Sequence, residues 1–178
     1  MARNFGNRYI VVLWALATAT LMSCTVGPGT PSADPSASPT QLTACPEIPD
    51  GGDPKAVGGS AVSVIVPPGW HAQEAVGPES DQLVIRSPGT ALKLSVMVAQ
   101  PQVADQLPMP GPSVTGTATL SIDGLGTVTL DRTTDSSGVG LRYVRALGSG
   151  AAEVHATGPE GTCDQTLIAL LAKVQYAK

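Results

Sequence analysis

Aromatic side chains are scarce, at 3% of the 178 residues, and Phe5, Tyr9 and Trp14 all fall in the first stretch of chain. Beyond residue 23 there remain Trp70, Tyr143 and Tyr176. A stacking platform for bases or sugars is hard to build from three rings. Charge is also sparse, at 13%, and acidic residues outnumber basic ones by 14 to 10. Phosphate backbones need a basic footprint, so nucleic acid is excluded as a partner. A polybasic grip on anionic lipid is excluded by the same balance. The chain has two histidines, His71 and His155, and neither stands at a metal-ligand spacing from one of the three cysteines. No elbow of the Gly-x-Ser-x-Gly type and no other nucleophile signature occurs, so no catalytic residue is assigned and the chain is read as a non-enzyme that uses no cofactor.

What is present begins at the N-terminus. Arg3 and Arg8 form a short positive segment, followed by the apolar run Ile10 to Leu21 and then Met22, Ser23 and Cys24. This is the three-part layout of a signal peptide over residues 1–23. About a dozen apolar residues are too few for a bilayer core, which takes ~20 in a helix. The ending Leu21-Met22-Ser23-Cys24 resembles the lipobox of bacterial lipoproteins, whose cysteine receives diacylglycerol before cleavage. The resemblance implies that Cys24 is lipidated and holds the protein on the extracytoplasmic face of the cell membrane. One chain binds a bilayer only marginally, whereas two or more anchor stably.

Cleavage there would remove two of the ten basic residues and none of the fourteen acidic ones, leaving a net charge of −6. Residues 24–44 are then a tether, because Pro28, Pro31, Pro35 and Pro39 among Ser, Thr, Gly and Ala leave room for neither helix nor packed strand. In polyproline geometry ~20 residues reach up to ~60 Å. The bias toward Ala, Gly, Val, Pro and Thr, with no asparagine beyond Asn7, points to a high-GC, actinobacterial genome.

With Cys24 assigned to lipid, Cys45 and Cys163 remain, in a compartment where disulfides persist. A bridge between them is expected, with a zinc pair or a reactive thiol as the competing readings. Residues 45–178, about 135 in all, suit one domain with one core.

Apolar and polar residues alternate at Leu92 to Val98, at Thr117 to Ile122 and at Thr127 to Asp131, the last two joined by the turn Asp123-Gly124-Leu125-Gly126. Further strands are expected at Ala61 to Val66, Gln82 to Arg86, Val139 to Ala146 and Ala151 to Thr157. Short connections favour antiparallel pairing. One helix is expected at the end, with a capping box from Thr162 and Gln165 and a stripe of Leu167, Leu170, Leu171 and Val174. The predicted fold is α+β: an antiparallel sheet of six or seven strands with the C-terminal helix packed on one face. The run Val64-Ile65-Val66-Pro67-Pro68-Gly69-Trp70, followed by strands and a closing Leu-rich helix, resembles small actinobacterial envelope lipoproteins of the LpqN type with a PsbP-like fold. That resemblance implies architecture and envelope location, and no catalytic residue.

Both histidines are expected to be solvated surface residues. Arg142 and Arg145 are expected to pair with nearby acids, with anion binding as the functional alternative. Trp70 is expected to cap the core, and its functional alternative is the mouth of a ligand groove. The sequence therefore points to a membrane-anchored, non-enzymatic binding or accessory domain whose partner is another envelope protein. A carrier for a lipid or other apolar ligand is the main rival, and a hydrolase the remote one.

Overall fold

The computed structural model describes residues 45–59 and 61–177, and the expected signal peptide, Cys24 and the expected tether lie outside the described residues. The strands are β1 (Asp53–Val57), β2 (Val62–Val66), β3 (His71–Val76), β4 (Ser80–Arg86), β5 (Lys93–Ala99), β6 (Ser113–Ile122), β7 (Gly126–Asp135), β8 (Gly138–Leu147), β9 (Gly150–Gly158) and β10 (Val174–Tyr176). The α-helix α1 spans Asp164–Leu171, and a short 3₁₀ turn covers Ala104–Gln106.

The strands form two antiparallel sheets instead of one. Seven lie in the order β3-β4-β5-β9-β8-β7-β6 and three in the order β1-β2-β10. The inner face of the large sheet presents Leu83, Ile85, Leu94, Val96, Leu130, Leu141, Tyr143 and Val154, all buried. These pack with Val62 and Val64 of the small sheet and with Leu167, Leu170 and Leu171 of α1 in a single core cluster. Helix α1 lies against β8 and β9. The architecture is thus mainly antiparallel β with one C-terminal helix, in keeping with an α+β class.

Seven of the ten strands coincide with the alternating segments. The other three lacked that signal. Strand β1 carries Pro54, which an edge strand tolerates because its amide side needs no partner; β3 is largely exposed, and β10 has three residues. The hairpin β6–β7 turns through Gly124, whose φ of 78° is open to glycine at little steric cost. Its expected apolar face is only partly used, for Ile122 and Leu130 are buried whereas Ala118 and Leu120 stay exposed.

Two expectations for the helix are corrected. The N-cap is Cys163, without a side-chain cap bond, and Thr162 Oγ1 donates instead to the Pro159 carbonyl at 2.7 Å. The helix also stops at Leu171. Lys173 N–H bonds back to the Leu170 carbonyl, the chain turns, and Val174 pairs with Val64 as the first residue of β10. Val174 is buried as the stripe requires, but as a strand residue.

At the start of the domain Cys45 and Cys163 sit at disulfide distance, with Cα atoms 5.8 Å apart, inside the range a bridge needs. Thr166 Oγ1 donates to the Pro46 carbonyl at 2.8 Å and Lys173 Nζ to the Pro49 carbonyl at 3.0 Å. These bonds fix the entering chain to the helix.

Candidate functional site

Because side chains alternate along a strand, burying one face of the large sheet commits the other set of residues to the opposite face. Cross-strand register arranges that outer set in rows. One row runs His71, Arg86, Lys93, Thr157, Gly140, Thr133 across six strands. The next runs Gln73, Val84, Ser95, His155, Arg142, Asp131, Thr117. The outer face is therefore polar, with its charges concentrated on β8, β9 and the β3–β5 end.

Its centre is covered by the long connection between β5 and β6. The Met109 N–H donates to Glu153 Oε2 at 2.8 Å, and Arg142 Nη1 donates to the Met109 carbonyl at 3.4 Å. Under this strap Arg142 is 5% exposed and Glu153 9%. Arg142 Nη2 lies 3.4 Å from Asp131 Oδ2, and Nη1 lies 3.9 Å from Glu153 Oε1. Arg142 Nε is buried without a partner. A buried ion pair repays its desolvation only with full hydrogen bonding, so this triad contributes position more than stability. Arg142 therefore meets the expected acids. Arg145 does not: its Nη1 donates to the Leu125 carbonyl at 3.2 Å and its guanidinium stacks 4.3 Å from the centre of the Tyr176 ring.

His155 corrects the sequence reading. It is half-buried, with Nε2 2.9 Å from Thr133 Oγ1. Burial, reinforced by the positive charges of Arg142 and Lys93 and opposed by Asp135, pushes its pKa down to about 4. The imidazole is neutral near pH 7. The contact exists because Gly140 stands between the two residues: a Cβ there would lie 2.6 Å from His155 Nε2 and 2.7 Å from Thr133 Oγ1. His71, by contrast, is exposed as expected.

A hydroxyl beside an imidazole is the raw material of nucleophilic catalysis. Thr133, however, is 1% exposed, and its hydroxyl is closed off from any substrate. Asp135, whose carboxyl accepts hydrogen bonds from the Ser137 hydroxyl and amide, is held below the usual carboxylate range. Its bonds close the β7–β8 turn. No group of three or more His, Cys, Asp or Glu side chains among the described residues is placed to hold a metal ion.

Trp70 follows the turn in which its own N–H bonds to the Pro67 carbonyl at 3.1 Å, and its half-buried ring packs against the core. It lies apart from the outer-face triad. Tyr143 and Tyr176 share a hydroxyl–hydroxyl bond of 3.0 Å between β8 and β10, and burial raises the Tyr143 pKa well above its ordinary value. The three aromatics thus do not form one platform. Between α1 and the β6–β7 hairpin a cleft of about 180 Å³ is lined by Leu120, Leu130, Leu141 and Ile168, with Arg132 paired to Asp164 at its rim. Among the described residues no helix is long and apolar enough to cross a membrane.

Fold and outer face together define a mainly antiparallel β domain, closed on one side by a helix and a small sheet and presenting on the other a polar face whose centre lies under the β5–β6 connection. No protein-family model and no curated protein matches the chain.

Proposed function

We propose that this protein is a lipid-anchored lipoprotein of the cell envelope, held through Cys24 on the extracytoplasmic face of the membrane, and that its domain acts by binding another envelope protein and not by chemistry. The anchoring half rests on the segment ending Leu21-Met22-Ser23-Cys24. The binding half is carried by one observation: among the described residues the hydroxyl–imidazole pair Thr133 and His155 has its hydroxyl buried, 1% exposed and out of reach of a substrate.

The outer face supplies a surface for a partner. Arg86 and Lys93 are cross-strand neighbours, and neither makes an ion pair with a described residue. Like charges placed opposite each other cost stability, and an acidic partner would relieve that cost. The carrier reading finds less support, since a ligand pocket takes roughly 300–1,000 Å³ with a mainly apolar lining, whereas the apolar cleft beside α1 offers about 180 Å³ and the clefts of about 330, 430 and 480 Å³ are open and lined by polar as well as apolar groups. The test is cross-linking in intact cells with the parent and with Arg86→Glu/Lys93→Glu. A defined cross-linked species that disappears in the variant supports the reading. A species unchanged by the variant, or none in the parent, sinks it.

A further inference from the structure

The large sheet ends at β6, and that edge is open. Nine of the ten residues of β6 are exposed, and β7 is its sole strand neighbour among the described residues. Exposed edges invite pairing, and proteins normally blunt them with charge, proline or a bulge. Two other edges follow that practice, for β3 carries His71 and Glu74 and β1 carries Asp53, Pro54 and Lys55, and the remaining edge, β10, is only three residues long. Strand β6, Ser-Val-Thr-Gly-Thr-Ala-Thr-Leu-Ser-Ile, has neither charge nor proline. A register shift between Val114 and Gly116 interrupts it near the start. Gly116 to Ile122 then runs on as an uncharged, Thr-rich segment of the length that pairs readily with copies of itself.

We propose that β6 pairs antiparallel with β6 of a second copy of this chain, centred on Thr119, joining two seven-stranded sheets edge to edge. The sequence fits that register on both faces. Centring on Thr119 sets Ala118 opposite Leu120 of the second copy on the inner face, and Thr117 opposite Ser121 on the outer face. Apolar thereby meets apolar, hydroxyl meets hydroxyl, and no like charges face each other. Leu120 is 36% exposed and lines the cleft beside α1, so pairing would extend the core across the seam. A two-fold axis between antiparallel neighbours leaves both inner faces on one side of the joined sheet. Both copies of α1, and with them both Cys45–Cys163 pairs, then lie on that same side. Two chains related in this way could be tethered to one membrane, although the pairing itself does not depend on the anchor.

A seam of this size is smaller than a standard interface of ~800 Å² per partner. The association should be weak in dilute solution, so single-cysteine cross-linking of the full chain in its host membrane is the suitable measurement. In the proposed register the two Thr119 residues face each other at ~4.5–5.5 Å between Cα atoms. Thr119→Cys should therefore give a disulfide-linked dimer as the main species on a non-reducing gel. Ser121→Cys alone should give at least fivefold less, and co-expressing Thr117→Cys with Ser121→Cys should restore the dimer. Thr119→Lys, which sets two ammonium groups opposite each other, should abolish the chemically cross-linked homodimer of the otherwise unmodified chain while leaving its melting temperature within a few degrees. A monomeric Thr119→Cys chain, equal yields from Thr119→Cys and Ser121→Cys, or a Thr119→Cys disulfide formed with a different protein would each overturn the proposal.

Discussion

His155 on β9 reaches across β8 to Thr133 on β7, with Nε2 2.9 Å from Oγ1, through the space left by the missing side chain of Gly140. Three strands are thereby locked by one polar contact whose middle member contributes nothing but room. Gly140→Ala should break it. The new Cβ would also lie 2.9 Å from the Ala156 carbonyl, a backbone atom that cannot rotate away. Overpacking of this kind costs ~1–3 kcal/mol, and for a domain of this size the melting temperature should fall by about 3–10 °C. A melting temperature unchanged within 1 °C would mean that the strands shift freely at this point.

The same histidine makes stability depend on pH. Its folded pKa of about 4 lies below the ordinary value of 6.5, so the folded state favours the neutral ring. Above pH 6.5 both folded and unfolded chains hold it neutral, and its full contribution is present. As pH falls from 6.5 to 4 the unfolded chain takes up a proton that the folded chain refuses, and stability is lost. The loss is about 3 kcal/mol at most, and smaller where solvent screens the ring. The difference in stability between parent and His155→Gln should be constant above pH 6.5, and between pH 6.5 and 4 the parent should lose stability relative to the variant. Parallel curves throughout that window would show that His155 titrates normally.

Leu171 is fully buried at the end of α1. Leu171→Asp places an uncompensated charge in the core, a cost of several kcal/mol against a total stability of only ~5–15 kcal/mol. The variant should unfold or fail to accumulate. Gln165→Ala, on the exposed side of the helix, should change stability by no more than ~0.5 kcal/mol. Lys173 is unsuited as a silent control because its ammonium group holds the Pro49 carbonyl. Comparable expression and melting of the Leu171 and Gln165 variants would mean that α1 is not docked.

Cys45 and Cys163 are 118 residues apart in sequence. Closing so long a loop restricts the unfolded chain by up to ~5 kcal/mol in the entropy model. Peptide mapping without reduction should recover the cross-linked pair, and Cys45→Ser/Cys163→Ser should melt well below the parent. Two thiols that alkylate freely in native, unreduced protein would rule out the bridge.

Cys24→Ala removes the proposed site of lipid attachment. Fractionated cells should show the variant in the soluble envelope fraction or the medium while the parent sediments with membranes. Equal retention of the two would show that something other than a lipid on Cys24 holds the chain.

Local pattern was enough for the elements that bury one face and bare the other. Leu94 and Val96 against Lys93 and Ser95 announce β5, and the turn at Gly124 announces the β6–β7 hairpin, because a two-residue period and a left-handed turn residue are properties of the chain itself. The apolar stripe of α1 could be read in the same way, and the pairing of Cys45 with Cys163 was expected from the count of cysteines left once Cys24 is assigned to lipid. What local pattern does not contain is which distant segment covers which face. Val174 satisfies a helical period and a strand's inner face equally well, and its pairing with Val64, more than a hundred residues earlier in the chain, made it a strand residue.

Arg142 and His155 fall on the outward side by alternation, as solvated residues do. Arg142 is withdrawn from water because the β5–β6 connection bonds to it and to Glu153 through Met109, and His155 is half-buried against Thr133. Alternation sets the side on which a side chain stands, whereas its burial, pKa and partners follow from long-range packing. The sequence by itself therefore determined seven of the ten described strands, the presence of the helix and the charge balance, and the tertiary structure decided that the polar face would have a buried centre.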